Sequence, residues 1–181
     1  MTFTFRVQKL TSDHDRRSFK CGNDALDRYL IEQSTQDVRR NVTACFVACR
    51  GENPRVVGFY TIAMGSVALG DFPAGISRKL PRYPTVPVAR IGRLAVDLSC
   101  RGEGLGSVLL LNAIARALRS DIAAFAVIVD AKDEIAAAFY RHHGFSSLEG
   151  MPAAFFLPLG EAARRIGEQS SRAAGGEERL D

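Results

Sequence analysis

The sequence predicts a mixed α/β domain in which helices cover a central sheet. Three observations predict it. Strand-like runs and segments of helical spacing alternate from residue 3 to residue 159. Ala123 to Val129 is a continuous apolar run with β-branched residues, the pattern of a buried strand. A glycine-rich turn, Arg101-Gly102-Glu103-Gly104-Leu105-Gly106, leads from a strand-like run into an apolar helix.

The elements follow in order. Phe3, Phe5 and Val7 alternate with polar residues, as in a half-buried strand. The polar stretch Thr11 to Cys21 leads to Gly22-Asn23-Asp24, and Leu26, Tyr29, Leu30 and Gln33 then fall at helical spacing, with Asn23 or Asp24 as N-cap. Residues 43–50 and 55–65 are strand-like runs around Gly51-Glu52-Asn53-Pro54, a hairpin signature. Residues 70–87 hold four of the seven prolines and read as a loop with a short helical piece. Val88 to Val96 reads as a strand, with Gly92 marking a bulge or a close approach. Beyond the glycine turn, Leu111, Ile114 and Leu118 share a helix face that Val108 and Ala115 widen. Asp130 or Asp133 caps the helix carrying Ala136, Ala137, Phe139 and Tyr140, and Gly144 is placed to end it. Met151 to Leu159 is a last strand. A frayed helix over 161–168 and disorder from 170 to 181 are expected, so that residues 1–160 form the domain and 161–181 a polar tail.

The chain of 181 residues is 46% hydrophobic and 24% charged, which fits one soluble domain and excludes collagen-like or wholly disordered classes. No apolar run is long enough to span a bilayer, and the N-terminus lacks the apolar core of a signal peptide, so a cytoplasmic protein is expected. Cys21, Cys45, Cys49 and Cys100 form no Cys-x-x-Cys pair, and no histidine stands near them at ligand spacing; they read as buried, reduced thiols. His142 and His143 are adjacent and point about 100° apart on a helix, which suits surface residues and not a metal pair. No metal site is expected.

Small residues between a strand and a helix let main-chain N–H groups converge, and the helix N-terminus adds partial positive charge. The 102–106 turn is therefore a candidate phosphate or pyrophosphate site, with a ligand-free tight turn as the alternative. Its Gly-x-Gly-x-Gly spacing is neither the dinucleotide fingerprint nor a Walker A loop, which would end in Gly-Lys-Ser/Thr.

Leu94-Ala95-Val96-Asp97 followed by Arg101-Gly102-Glu103-Gly104-Leu105-Gly106 resembles the acetyl-CoA signature of GNAT acetyltransferases, and Ala138-Phe139-Tyr140 with Gly144-Phe145 resembles the second hallmark of that family. The resemblance covers residues 3–159. It implies a mostly antiparallel twisted sheet with two parallel strands splayed at an acetyl-CoA cleft and helices on both faces. It assigns the main chain of Leu94, Ala95 and Val96 to the acetyl group and pantetheine. It assigns Arg101, Gly102, Glu103, Gly104, Leu105, Gly106 and Ser107 to the pyrophosphate, and Tyr140 to the general acid that protonates the departing CoA thiolate. A phenol of pKa about 10 donating to a thiolate of pKa about 8.5 is an uphill transfer that positioning must offset.

The stretch Phe19-Lys20-Cys21-Gly22-Asn23-Asp24-Ala25-Leu26-Asp27-Arg28-Tyr29-Leu30 is similar to the tRNA-acetylating toxins of type II toxin–antitoxin modules, as are Val57-Gly58-Phe59-Tyr60-Thr61 and Ile91 to Asp97. That narrower resemblance implies acetylation of the α-amino group on charged tRNA, a ribbon–helix–helix antitoxin that brings in operator DNA, and a homodimer. The formal charge of +4 is concentrated: residues 76–101 carry six basic residues against one acid, Asp97. Arg78, Lys79, Arg82, Arg90 and Arg93 in that segment suit the phosphates of tRNA. Two alternatives stand beside this reading. One is a GNAT enzyme acting on a small amine, drug or peptide N-terminus; the other is a non-catalytic acyl-CoA-binding or DNA-regulatory partner, against which the intact turn and Tyr140 argue.

Overall fold

The computed structural model describes residues 4–175. Seven strands form a mixed sheet of order β1-β2-β3-β4-β5-β7-β6, where β1 is Phe5–Lys9, β2 Ala44–Arg50, β3 Val56–Ala68, β4 Thr85–Val96, β5 Ala126–Asp130, β6 Ser146–Leu148 and β7 Met151–Pro158. The pairs β1–β2, β2–β3, β5–β7 and β6–β7 are antiparallel, and β4–β5 is parallel. The expected mixed α/β class is therefore the observed one. The chain divides into two compact units, one running to Ala63 and including Arg90–Arg116, the other comprising Met64–Ala89 and the residues from Ala117 on.

In the first unit both sheet faces are covered, because β2 and β3 are apolar at consecutive positions and not merely at alternate ones. Cys45, Val47, Cys49 and Phe59 pack with Phe19, Tyr29 and Leu30 in one buried cluster. On the other face Gly58 lets α4 (Leu105–Leu118) approach closely: a Cβ there would meet Leu109 at 3.0 Å and Leu105 at 3.1 Å. Tyr60 is buried there and donates to Asn112 Oδ1 at 2.8 Å, an acceptor shared with Arg116 Nε at 3.0 Å.

The expected N-terminal helix is broken into α1 (Asp24–Arg28), a π-helical turn (Tyr29–Gln33) and α2 (Ser34–Arg39). Of the two N-cap candidates, Asn23 takes the role, its side chain accepting from Leu26 N at 3.2 Å. The π turn has a visible cause. One nitrogen of Arg16, Nη1, donates to Leu30 O at 3.0 Å, Ser34 Oγ at 2.9 Å and Thr35 Oγ1 at 2.8 Å, which supplies partners where the α ladder is interrupted.

In the second unit, Val67, Phe72, Val86, Val88, Ala126, Ile128, Ala154 and Phe156 form the core. The segment expected as a loop over 70–87 is more ordered than that. It holds a 3₁₀ turn (Leu69–Asp71) and α3 (Ala74–Ser77), and β4 begins at Thr85. Phe72 anchors it, edge-on to Phe125 at 5.6 Å and Phe156 at 5.2 Å between centroids. Burying such a ring contributes about 1.5–3 kcal/mol, enough to hold a proline-rich segment down. The strand β6 was not anticipated; it is three residues long and pairs with β7 across Glu149-Gly150. The last helix, α6 (Leu159–Gly175), is longer than the frayed helix expected over 161–168. Leu159 and Ala162 are buried and Ile166 follows at helical spacing, while Arg165 pairs with Glu161 one turn away. Disorder is expected from 170 to 181; α6 runs on to Gly175, and 176–181 lie outside the described residues. No helix among the described residues is long and apolar enough to cross a membrane.

Candidate active site

Within the first unit, β4 delivers Leu94, Ala95 and Val96 to Asp97, a 3₁₀ turn (Leu98–Cys100) and the glycine turn that opens α4. Gly102 and Gly104 both have φ of +78°, a conformation that needs glycine, and a Cβ on either would meet nothing within 4 Å. The turn is therefore open. The first intrahelical bond runs from Val108 N to Gly104 O, which leaves the amides of Leu105 and Gly106 without an acceptor in the helix. An open backbone with unspent N–H groups at the start of a 14-residue helix fits a pyrophosphate.

The turn is braced from one side by a residue the sequence reading did not single out. Arg50 Nη2 donates to Glu103 Oε1 at 2.6 Å and to Cys100 Sγ at 3.1 Å. Arg101 does not point into the open turn: its Nη2 donates to Cys21 O at 2.7 Å. Asp97 is buried and is a structural hub. It accepts from Lys20 N at 2.9 Å, Ser99 N at 3.0 Å and Ser99 Oγ at 2.6 Å, and it faces Arg55 at 3.4 Å. Burial alone would raise its pKa, but these hydrogen bonds and the arginine outweigh it and hold the carboxyl below its ordinary value. Gly92 marks a close approach, since a Cβ there would come within 3.3 Å of Thr61 Oγ1. Arg93 stacks its guanidinium over Tyr29 at 3.5 Å from the ring centroid, and Arg90 is half-buried on the same strand.

The second unit carries the other expected residues. Asp133, not Asp130, caps α5 (Glu134–His142), accepting from Ala136 N at 2.8 Å. The helix ends on Gly144 as the sequence indicated. Gly144 N donates to Arg141 O at 2.9 Å and Phe145 N to Tyr140 O at 3.1 Å, so the helix stop is bonded to Tyr140 itself. The Tyr140 ring is buried against Phe139, Phe145 and Phe155. Among the described residues its hydroxyl has no hydrogen-bond partner, yet no buried polar side-chain atom goes unsatisfied, so that oxygen is not sealed from water. Burial and the nearby charge of Asp130 push its pKa up to about 12. Arg78 and Arg82 line a pocket of about 240 Å³ with Leu69, Gly70 and Ser77, and Lys79 stands exposed beside them in the chain.

His142 is exposed, while His143 is half-buried with Nδ1 2.8 Å from Phe139 O. The four cysteines are free and buried, and no cluster of metal-ligating side chains is present among the described residues.

The model of the acetyltransferase (GNAT) family matches residues 7–145, from β1 through the glycine turn and Tyr140 to the end of the α5 cap. The chain belongs to the GNAT acetyltransferase family. Among GNAT relatives, it is 37% identical over 163 residues to a tRNA-acetylating toxin of Mycobacterium tuberculosis, covering 89% of this chain and 96% of the relative. It is similar to the structure of AtaT complexed with acetyl-methionyl-tRNAfMet, with a TM-score of 0.83 and 27% identity over 90% of this chain and 99% of that one. A tyrosine-to-phenylalanine mutant of AtaT, bound to the C-terminus of the antitoxin AtaR and acetyl-CoA, matches with a TM-score of 0.72 and 26% identity over 86% of this chain and 94% of that one.

Proposed function

We propose that this GNAT chain is the toxin of a type II toxin–antitoxin module, and that it transfers acetyl from acetyl-CoA to the α-amino group of an aminoacyl-tRNA. The observation that carries the reading is the open turn at 101–107, kept by a chain alike over 89% of its length to a tRNA-acetylating toxin. Acetyl-CoA supplies the acetyl group as an activated thioester. The main chain of Leu94, Ala95 and Val96 holds the acetyl end, and the N–H groups opening α4 hold the pyrophosphate. Arg101 and Glu103 shape that turn, Arg101 through Cys21 and Glu103 through Arg50.

The substrate α-amine has a pKa of about 7.7–8.0, so a useful fraction is neutral at pH 7 and no strong base is required. The amine attacks the thioester carbonyl, the nitrogen of the tetrahedral adduct loses a proton to water, the C–S bond breaks as Tyr140 gives its proton to the leaving sulfur, and the tyrosinate regains a proton from water. Burial keeps that proton on Tyr140 throughout the physiological range. The same burial makes Tyr140 a weaker acid, so the transfer depends on the thiolate forming next to the hydroxyl. Arg78, Lys79, Arg82, Arg90 and Arg93 contact the tRNA. A ribbon–helix–helix antitoxin neutralises the toxin and links it to operator DNA, the toxin acts as a homodimer, and the setting is the cytoplasm.

The test is direct. Purified chain, acetyl-CoA and charged tRNA should yield free CoA thiol and N-acetylated aminoacyl-tRNA in equal amounts. Thiol release with a small amine or peptide but not with charged tRNA would favour the alternative GNAT reading.

A further inference from the structure

The Arg93–Tyr29 stack is more than a surface ion beside a ring. Tyr29 is buried, and Arg93 is half-buried with its guanidinium 3.5 Å over the ring. A guanidinium is a planar fork of five N–H donors, and stacking fixes its plane while leaving the donors at its edge. Among the described residues none of these donors has a hydrogen-bond acceptor. No buried side-chain nitrogen among the described residues lacks a partner, so these donors are open to solvent, where an incoming acceptor can reach them.

The ring beneath is itself held from three directions. Tyr29 Oη donates to Asp37 Oδ2 at 3.0 Å, and the ring stacks on Phe59 at 19° between planes. Tyr29 also opens the π turn that Arg16 pins with three hydrogen bonds. Such turns recur at functional positions. Arg93 directly precedes Leu94, the first residue assigned above to the acetyl end.

We propose that Tyr29 is a positioning residue that holds the Arg93 guanidinium ready for a phosphate of the single-stranded 3′ end of the charged tRNA, an inference that rests on the function proposed above. Single-stranded RNA ends are read by stacking planes and charged forks of this type. The same fork chemistry would also accept a phosphate of CoA, so the test separates the two sources.

Steady-state kinetics on the full chain, titrating charged tRNA and acetyl-CoA separately, provide that test. Arg93→Met should raise the KM for charged tRNA about tenfold and leave the KM for acetyl-CoA within about twofold. Tyr29→Leu should do the same, Tyr29→Phe should recover most of the loss, and the Arg93→Met/Tyr29→Leu double variant should be no worse than the worse single one. Asp37→Ala, which removes the same hydroxyl contact as Tyr29→Phe, should raise the tRNA KM by the same small factor, and Arg93→Met alone decides the case in which Tyr29→Leu fails to fold. An unchanged tRNA KM in Arg93→Met, effects that simply add, or a matching rise in the acetyl-CoA KM overturns the proposal. If the wild-type chain acetylates no charged tRNA, the proposed function falls; if it does and Arg93→Met is unaffected, only this inference falls.

Discussion

Arg101 holds the main-chain oxygen of Cys21 through a 2.7 Å hydrogen bond from Nη2. The head of the glycine turn is thereby tied to the segment that precedes α1, and Asp97 ties the same segment again at Lys20 N. Leu98 N returns a third bond to Lys20 O at 2.8 Å. Residues 20–21 and 97–101 therefore move as one piece, and a defect on either side should reach the other.

Arg101→Ala removes a charged donor from a main-chain acceptor and should cost about 1–2 kcal/mol of stability. Gly22→Ala should give a loss of similar size from the opposite side. Gly22 has φ of +87°, and a Cβ there would come within 3.1 Å of Arg101 Nη2. Urea denaturation measures both. Combining the two should cost less than their sum, because they disturb the same contact.

Asp97 gives a pH dependence with a defined sign. Its folded-state pKa lies below the ordinary value of 3.8, so its stabilisation is complete well above pH 3.8 and is lost as the pH falls through the depressed value. Asp97→Asn should be less stable than wild type at pH 7, and the gap should narrow in acid below about pH 4. Thermal melts across that range check it; a gap that stays constant would remove Asp97 from the account.

Tyr140→Phe should lower kcat by about 10²–10⁴-fold with acetyl-CoA affinity retained, the usual size of a general-acid contribution. Because Tyr140 is pushed up to about 12, it should add no alkaline limb below about pH 10. In wild type kcat/KM should instead rise through the pKa of the substrate amine, about 7.7–8.0, and level off. Stopped assays from pH 6 to about pH 10 would show this.

How far the sequence spoke depended on whether a signal was local. Gly144 as helix stop and the open turn at 102–104 are encoded within a few residues and stand where expected, while the buried strand expected over 123–129 is observed over Ala126–Asp130. Asp133 and Asn23 were each one of two candidates, one to three residues apart, and local backbone geometry chooses between them. Phe72 was missed: prolines around it signal a loop, while its role comes from Phe125 and Phe156 far along the chain. The π turn was missed for the same reason, since Arg16 stands 14 residues before Leu30. The sequence assigns Arg101 to the pyrophosphate by resemblance and Arg93 to tRNA phosphate by its charge, and neither assignment shows the partners, Cys21 and Tyr29, that the fold brings to them.

The cations of the second unit should separate the two ligands in the same direction as Arg93. Charge reversal of Arg78, Lys79 and Arg82 to Glu should weaken binding of charged tRNA strongly and acetyl-CoA binding little. Each lost phosphate contact should flatten the slope of log affinity against log salt by about 0.7–0.9. Equal losses for both ligands would move this cluster to the CoA side.

The central claim is that the chain acetylates charged tRNA through Tyr140. Mass spectrometry of total charged tRNA after a brief pulse of expression tests it most directly and names the amino acid. The account predicts N-acetylated aminoacyl-tRNA in cells expressing wild type and little or none with Tyr140→Phe. Growth arrest without any acetylated tRNA, or equal acetylation by both forms, would contradict it.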